Sequence, residues 1–151
     1  MYSSAYRGYA VNKGTVELIF GPIATPASAK FKIRLASFSV TNGNGADATD
    51  TVIVSISIDG GTTYSEELLI KGNDNNKWGF DAVRAATTSY NGTNTPNSFT
   101  SGSGIHPTTG GISFLEVTGI PTSTNLKVKI EMKNNADNEI WVVDDAEIDI
   151  E

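Results

Sequence analysis

The sequence predicts an all-β domain, a two-sheet antiparallel β-sandwich of jelly-roll type, and three observations lead to this prediction. Hydrophobic residues make up 38% of the 151 residues, below the roughly 45–50% of an average globular domain. Fifteen glycines, with many Ser, Thr and Asn residues, separate short apolar segments, as in folds that contain many tight turns. No segment of helical length shows the apolar spacing of an amphipathic helix.

Strands are predicted where apolar residues alternate along the chain. Within the second predicted strand the apolar parity changes between Leu35 and Phe38, which predicts a β-bulge near Ala36 and Ser37. The strand over 126–132 carries Lys and Glu at alternate positions, which is typical of a sheet with one face in water. The predicted strands cover residues 15–20, 31–40, 52–58, 64–70, 77–82, 112–117, 126–132 and 139–150.

Domain organisation is simple, because no internal repeat or composition boundary divides the chain. Residues 14–151 are predicted to form the single β-sandwich domain, and residues 1–13 an N-terminal extension or docking segment. This segment has no apolar core of the kind found in a signal peptide, but it contains Tyr2, Tyr6 and Tyr9. Since exposed edge strands can accept a further strand, it is a candidate for self-association.

Charge and composition exclude several function classes. The net charge is −6 and the 11 Lys and Arg residues are scattered, so nucleic acid is not expected as a partner. No apolar run approaches the roughly 20 residues of a membrane span, so membrane insertion is not expected. There is no cysteine, which excludes thiol catalysis, Cys-based zinc sites and disulfides.

The segment over 91–111 consists almost entirely of turn-forming residues, with Phe99, Ile105 and His106 as its large side chains. Loops longer than about 12–15 residues are usually functional or disordered, and both alternatives stay open here. His106 is the only histidine and has no evident partner. Glu66 and Glu67 are adjacent on a strand and point to opposite faces. We therefore expect no enzymatic activity.

One short motif, Ser57 to Tyr64 with the sequence SIDGGTTY, resembles the Asp box of sialidase-type propellers and other secreted proteins. The resemblance implies a hairpin in which Asp59 binds turn amides while glycine supplies a positive φ. A propeller would repeat the motif, and this chain has one copy. The motif is therefore interpreted as a lock on a single hairpin.

Three longer motifs resemble a module of large secreted Bacteroidetes proteins. They read LASFS over 35–39, GNDNNKWGF over 72–80 and NNADNEIWVVDDAEI over 134–148, and the resemblance spans roughly residues 29–148. It implies an extracellular or cell-surface, jelly-roll-like module of MAM or galactose-binding type. It does not imply an activity.

A calcium site is the most specific chemical hypothesis, since calcium takes six to eight oxygen ligands from carboxylates, amides and carbonyls. The loop over 41–50 is rich in such oxygens, and the terminal strand adds more. The candidate ligands are Asp47, Asp50 and Asp145. In the alternative, Asn and Asp residues here only stabilise turns.

Aromatic side chains provide a second hypothesis, because the apolar faces of sugars stack on aromatic rings. The candidate ligand-binding residues are Tyr64, Trp78, Tyr90 and Phe99. Trp78 shares a strand face with Phe80, so a place in the core is an alternative for it. Together these features predict a non-catalytic extracellular binding or adhesion module that recognises carbohydrate or a surface polymer with structural calcium. The alternative is a self-assembling or domain-packing module of a surface fibre.

Overall fold

The computed structural model describes residues 8–41, 44–101 and 110–151, and none of these residues is helical. The described residues form ten β-strands: β1 (Tyr9–Val11), β2 (Gly14–Thr25), β3 (Ala29–Ser39), β4 (Thr51–Ser57), β5 (Ser65–Lys71), β6 (Arg84–Ser89), β7 (Asn97–Thr100), β8 (Ile112–Ile120), β9 (Ser123–Asn134) and β10 (Glu139–Ile150).

The strands pair into two five-stranded sheets that pack face to face. The first sheet has the order β1-β10-β3-β8-β6 and the second the order β2-β9-β4-β5-β7. Neighbours are antiparallel except in the two parallel pairs at the far edges, β6–β8 and β5–β7. Every connection between consecutive strands except β4–β5 crosses from one sheet to the other, as in a jelly roll. The predicted β-sandwich is confirmed.

The core lies between the sheets because apolar residues alternate with polar ones along the central strands. In β9, four apolar side chains are fully buried while the Lys and Glu residues between them face outward, and β3 follows the same pattern up to Leu35. Burial of each such aliphatic side chain stabilises the fold by about 1.5–3 kcal/mol. Trp78 and Trp141 meet edge to face at the centre, with ring centroids 5.4 Å apart.

The predicted bulge in β3 is wrong. Residues 35–39 of β3 pair in continuous register with β10, and Phe38 and Val40 are 42% and 67% exposed instead of buried. The apolar pattern was misinterpreted because β3 is covered on both faces near its end. Leu35, Ala36 and Ser37 are consecutively buried there. A register shift occurs instead in β10, between Asp144 and Glu147.

The strand predicted over 77–82 is also wrong, since Trp78 makes only an isolated bridge to Ser37 and a turn follows. Strands β6 and β7 were not predicted, because their sequences, RAATTS and NSFT, contain few large apolar residues. Part of the expected long loop over 91–111 is therefore strand β7, which contains Phe99. Ile105 and His106 lie outside the described residues.

The N-terminal segment is partly integrated into the sandwich. Residues 1–7 lie outside the described part of the chain, whereas β1 pairs antiparallel with β10 at Trp141–Val143 and buries Val11. Residues 9–11 therefore belong to the first sheet of this domain and not to a separate extension.

Candidate functional site

Two neighbouring turns bring together three carboxylates, those of Asp47, Asp50 and Glu139. One oxygen from each side chain lies within 4.8 Å of the other two. Asp47 and Asp50 belong to the loop before β4, and Glu139 is the first residue of β10. The prediction that Asp47 and Asp50 lie in one oxygen-rich site agrees with this geometry. Asp145 is not a member of the cluster.

Backbone amides fix the three side chains. Asp50 accepts hydrogen bonds from the amides of Asp47 at 2.8 Å and Asn135 at 3.0 Å, which ties the loop to the β9–β10 turn. Asp47 accepts from the amide and hydroxyl of Thr49 at 2.8 and 2.7 Å, the geometry of an Asx turn. Glu139 accepts from the amide of Ala136 at 3.1 Å.

The electrostatics of the cluster favour neutralisation. Asp50 and Glu139 are 0% and 4% exposed, and no Lys or Arg forms an ion pair with the cluster among the described residues. Burial, reinforced by repulsion from Asp50, raises the pKa of Glu139 to about 7. Burial also raises the pKa of Asp50. The cluster therefore holds a proton close to neutral pH, or a cation in its place.

The donor set is chemically suited to a hard cation, because all three ligands are carboxylate oxygens. A raised acid pKa is also typical of catalytic acids. Both Asp50 and Glu139 are buried side chains. Glu139 was not predicted as a ligand. The only indication in the sequence was that an acidic residue begins the predicted strand over 139–150.

A cleft of about 400 Å³ opens beside the irregular part of β10, on the outer face of the first sheet. Arg34 and Phe114 are directly paired across β3 and β8, and both alternate with buried residues, so their side chains point away from the core. The cleft is lined by Lys32, Ile33, Arg34, Phe114, Asp145, Ala146 and Glu147.

Arg34 is held rigidly in this cleft. Its guanidinium carbon lies 5.5 Å from the centre of the Phe80 ring and 5.2 Å from that of Phe114, within cation–π range. It donates to the Phe80 carbonyl at 2.6 Å and lies 3.8 Å from the Asp145 carboxylate. The Asp145 carboxylate, predicted as a metal ligand, is therefore placed beside a cation.

Lys32 provides a second fixed donor beside the cleft. Its ammonium group donates to Asp149 at 2.9 Å, and this hydrogen bond raises the pKa of Lys32. In the sheet order β10-β3-β8, Lys32 and Arg34 on β3 therefore lie between the acids of β10 and Phe114 of β8. The Phe114 side chain is partly exposed. The sequence did contain an indication that Phe114 faces outward. Along the strand it lies on the opposite face from Leu115 and Val117.

The four aromatic residues predicted to bind ligand do not line this cleft. Trp78 is 1% exposed and donates its indole N–H to the Ile112 carbonyl, so a ligand at the surface cannot reach its ring and the prediction is wrong for Trp78. Tyr90 and Phe99 are half-buried against the core. Tyr64 lies at the β4–β5 hairpin beneath the Lys129 ammonium group, 5.1 Å from it.

The Asp-box motif forms the β4–β5 hairpin. Asp59 accepts from the Thr63 amide at 3.0 Å and from the hydroxyls of Thr63 and Ser57 at 2.7 Å each. These hydrogen bonds hold the pKa of Asp59 well below its usual range, and the bond from the Thr63 amide contributes most. Gly60 and Gly61 have φ values of 78° and 94°, which glycine adopts without strain.

Comparison with protein-family models, curated proteins and solved structures finds no match for this chain. The resemblance to a secreted jelly-roll module therefore rests on its sequence motifs. Within the described residues, no helix has the length and apolarity needed to cross a bilayer.

Proposed function

We propose that this chain is a non-catalytic extracellular binding module that recognises carbohydrate through the cleft formed by β3, β8 and β10. The observation that carries this proposal is the cleft itself, in which the donors Lys32 and Arg34 on β3 lie between the acids of β10 and the Phe114 ring on β8. The volume of about 400 Å³ lies within the range of small-ligand sites, about 300–1,000 Å³.

The chemistry of the lining residues matches that of a sugar. Each hydroxyl group donates and accepts hydrogen bonds, and the cleft offers donors on Lys32 and Arg34 and acceptors on Asp145 and Glu147. The part of the Phe114 ring that Arg34 does not cover is exposed and would provide an apolar surface for the C–H face of a pyranose. Because the cleft carries both signs of charge, it favours a neutral, hydroxyl-rich ligand over a polyanion or a polycation.

A glycan and polysaccharide array with the full chain tests this proposal. We expect Phe114→Ala to weaken binding about tenfold, since one buried aromatic contact is lost. Phe38→Ala is the matched control, because Phe38 is exposed on β3 but does not line the cleft. A blank array at high protein concentration, or an equal loss in both variants, would contradict the proposal.

For the acidic cluster we propose calcium as a structural ion, held by Asp47, Asp50 and Glu139. Three carboxylates supply up to six oxygen atoms, and the coordination number of calcium leaves room for carbonyls or water. Bound calcium would offset two of the three negative charges of the deprotonated cluster and displace the proton that Glu139 otherwise keeps near neutral pH. The ion would join the loop before β4 to the β9–β10 turn.

Calorimetric titration with calcium in two buffers of different ionisation enthalpy tests the metal proposal. We expect saturable binding with proton release and a higher melting temperature in excess calcium. Glu139→Gln should abolish both effects. Asp137→Asn, two residues away with a 76% exposed side chain, should retain them. Heat of binding that is unchanged in Glu139→Gln would contradict this assignment.

A further inference from the structure

Residues 78–82 form a short segment outside the strands, which we call the 78–82 turn. Its first residue, Trp78, exchanges two backbone hydrogen bonds with Ser37 of β3, at 2.8 and 3.0 Å. The carbonyl of its last residue, Ala82, accepts a hydrogen bond from the Ser113 hydroxyl of β8. The turn is therefore fastened at both ends, to β3 and to β8.

Both ends of the 78–82 turn are buried, since Trp78 is 1% exposed and Ala82 5%. The Trp78 indole N–H donates to the Ile112 carbonyl at 3.1 Å. Gly111 lies directly against this side chain, and a Cβ atom at that position would collide with it. These contacts leave the Trp78 anchor little room to move.

Phe80 projects from the middle of this turn toward Arg34. The Ala82 amide donates to the Gly79 carbonyl at 3.3 Å, so Phe80 and Asp81 are the central residues of a tight turn. The Phe80 ring centre lies 5.5 Å from the guanidinium carbon of Arg34, and the Phe80 carbonyl accepts from Arg34 at 2.6 Å. Phe80 is not among the described residues that line the cleft. Its connection to the cleft is therefore made through Arg34.

The contacts of Arg34 restrict its guanidinium group to one orientation. Besides Phe80, the Phe114 ring lies against this group, with its centre 5.2 Å from the guanidinium carbon. The Nε atom of Arg34 is buried and has no hydrogen-bond partner among the described residues, so packing alone holds that side. The planar guanidinium is thus presented to the cleft as a donor group of fixed direction.

We propose that Phe80 is a positioning residue for Arg34, and that Arg34, held in this way, determines which epimer of a sugar the cleft accepts. This inference rests on the proposed glycan function of the cleft. Epimeric pyranosides carry the same hydroxyl groups and differ in the direction of one of them. A fixed donor meets that hydroxyl group in one epimer and misses it in the other, whereas a mobile donor would adapt to both.

Nitrogen-15 NMR of the arginine Nε–H groups tests the positioning of Arg34 without any ligand. Arg34→Lys identifies the Arg34 signal by its loss, and Arg84, which is exposed, provides the reference. We expect the buried Arg34 hydrogen to exchange with water about tenfold more slowly than that of Arg84. Phe80→Leu keeps the carbonyl acceptor but removes the ring, so this difference should be lost, and Phe80→Tyr should restore it. Equal exchange of the two arginines in wild type, or no change in Phe80→Leu, would overturn the proposal.

Titration with the methyl α-pyranosides of glucose, galactose and mannose tests the selectivity. Galactose and mannose each differ from glucose in the direction of one hydroxyl group, and we expect wild type to prefer one of the three. Phe80→Leu should weaken binding of the preferred sugar about fivefold and bring the three affinities together. Phe80→Tyr should behave like wild type. Phe38→Leu is the matched control, because Phe38 is exposed on β3 outside the cleft, and it should keep the wild-type selectivity.

The possible outcomes separate this inference from the proposed function. A blank glycan array together with no binding of the three sugars contradicts the glycan function, and this inference fails with it. If the array is positive but wild type binds the three sugars equally or not at all, this inference alone fails. It also fails if Phe80→Leu lowers all three affinities by the same factor, which is the result expected from a merely structural role.

Discussion

Asp50 and Glu139 are two acids buried in one small space, and each depends on the other's protonation state. Asp50 accepts two backbone amides, which favour its charged form. Glu139 accepts one amide, and its pKa is raised to about 7. We therefore assign the shared proton to Glu139, whose protonated carboxyl donates to Asp50.

The first prediction concerns the pH dependence of stability without a metal. The pKa of Glu139 is about 7 in the folded chain against a usual 4.5, so between these values the folded state binds more protons than the unfolded state. Stability should therefore fall as pH rises through this window. Glu139→Gln mimics the protonated acid, and in EDTA at pH 7.5 it should be more stable than wild type by on the order of 2 kcal/mol.

Urea unfolding at several pH values between 4.5 and 7.5 measures this difference. The difference in unfolding free energy between Glu139→Gln and wild type should decrease toward pH 4.5, because wild-type Glu139 is also neutral there. Asp137→Asn serves again as the exposed control and should follow the wild-type profile. A constant difference between Glu139→Gln and wild type at all pH values would contradict the assigned proton.

At the residue scale, only the two members of this cluster that are close in sequence, Asp47 and Asp50, were predictable. Asp47 and Asp50 lie in one short loop whose composition already indicates oxygen ligands or Asx turns. Glu139 reaches them only because the β9–β10 turn packs against that loop, through the bond from Asn135 to Asp50. Such a long-range contact leaves no periodic signal. Asp145 was chosen for its residue type, but β10 places it beside Arg34.

At the scale of single elements, the β4–β5 hairpin shows how side chains close a turn. Asp59 uses both carboxylate oxygens to bind Thr63, and Ser57 donates to Asp59 while accepting from the Gly61 amide. Its residues were recognisable in the sequence because these bonds are local. The Asp59 carboxylate is exposed to solvent, so its role is to shape the turn.

The second prediction follows from these bonds. Asp59→Ala removes the acceptors of Thr63 and Ser57 and should lower the melting temperature by about 2–4 °C. Asp81→Ala, which alters an exposed acid in another turn, should have little effect. Because the pKa of Asp59 is lowered, its contribution is complete above about pH 4 and declines progressively as pH falls from there through the lowered pKa. Thermal unfolding at pH 7 and pH 3 checks this; an unchanged difference at pH 3 would contradict it.

Strands were predictable to the extent that they bury large apolar side chains on one face. β2, β4 and β9 follow this rule, and their alternation located them. β6 buries only Ala86 and Thr88, and β7 pairs with β5 in parallel across a long connection. The apolar residues over 77–82 serve other purposes, since Trp78 enters the core while Phe80 stacks on Arg34 outside it.

At the scale of the whole molecule, β10 connects the acidic cluster and the cleft. Glu139 begins this strand, and Asp145 lies in the register shift at its middle. Six residues of extended chain separate them by roughly 20 Å. Trp141, fully buried between the sheets, packs on Trp78 within this interval. The strand is thus anchored in the core between the two sites.

The third prediction is that the two sites act independently. EDTA should lower the melting temperature of the wild type in calcium-containing buffer, and Glu139→Gln should remove this response to EDTA. Neither change should alter glycan affinity, because paired strands and the tryptophan contact hold the cleft in place. Phe114→Ala should weaken glycan binding and leave the effect of calcium on the melting temperature unchanged. Affinity and thermal unfolding measured on the same samples separate the two effects. If EDTA removes glycan binding at a temperature where circular dichroism still reports a folded chain, calcium shapes the cleft directly and the sites are coupled through β10.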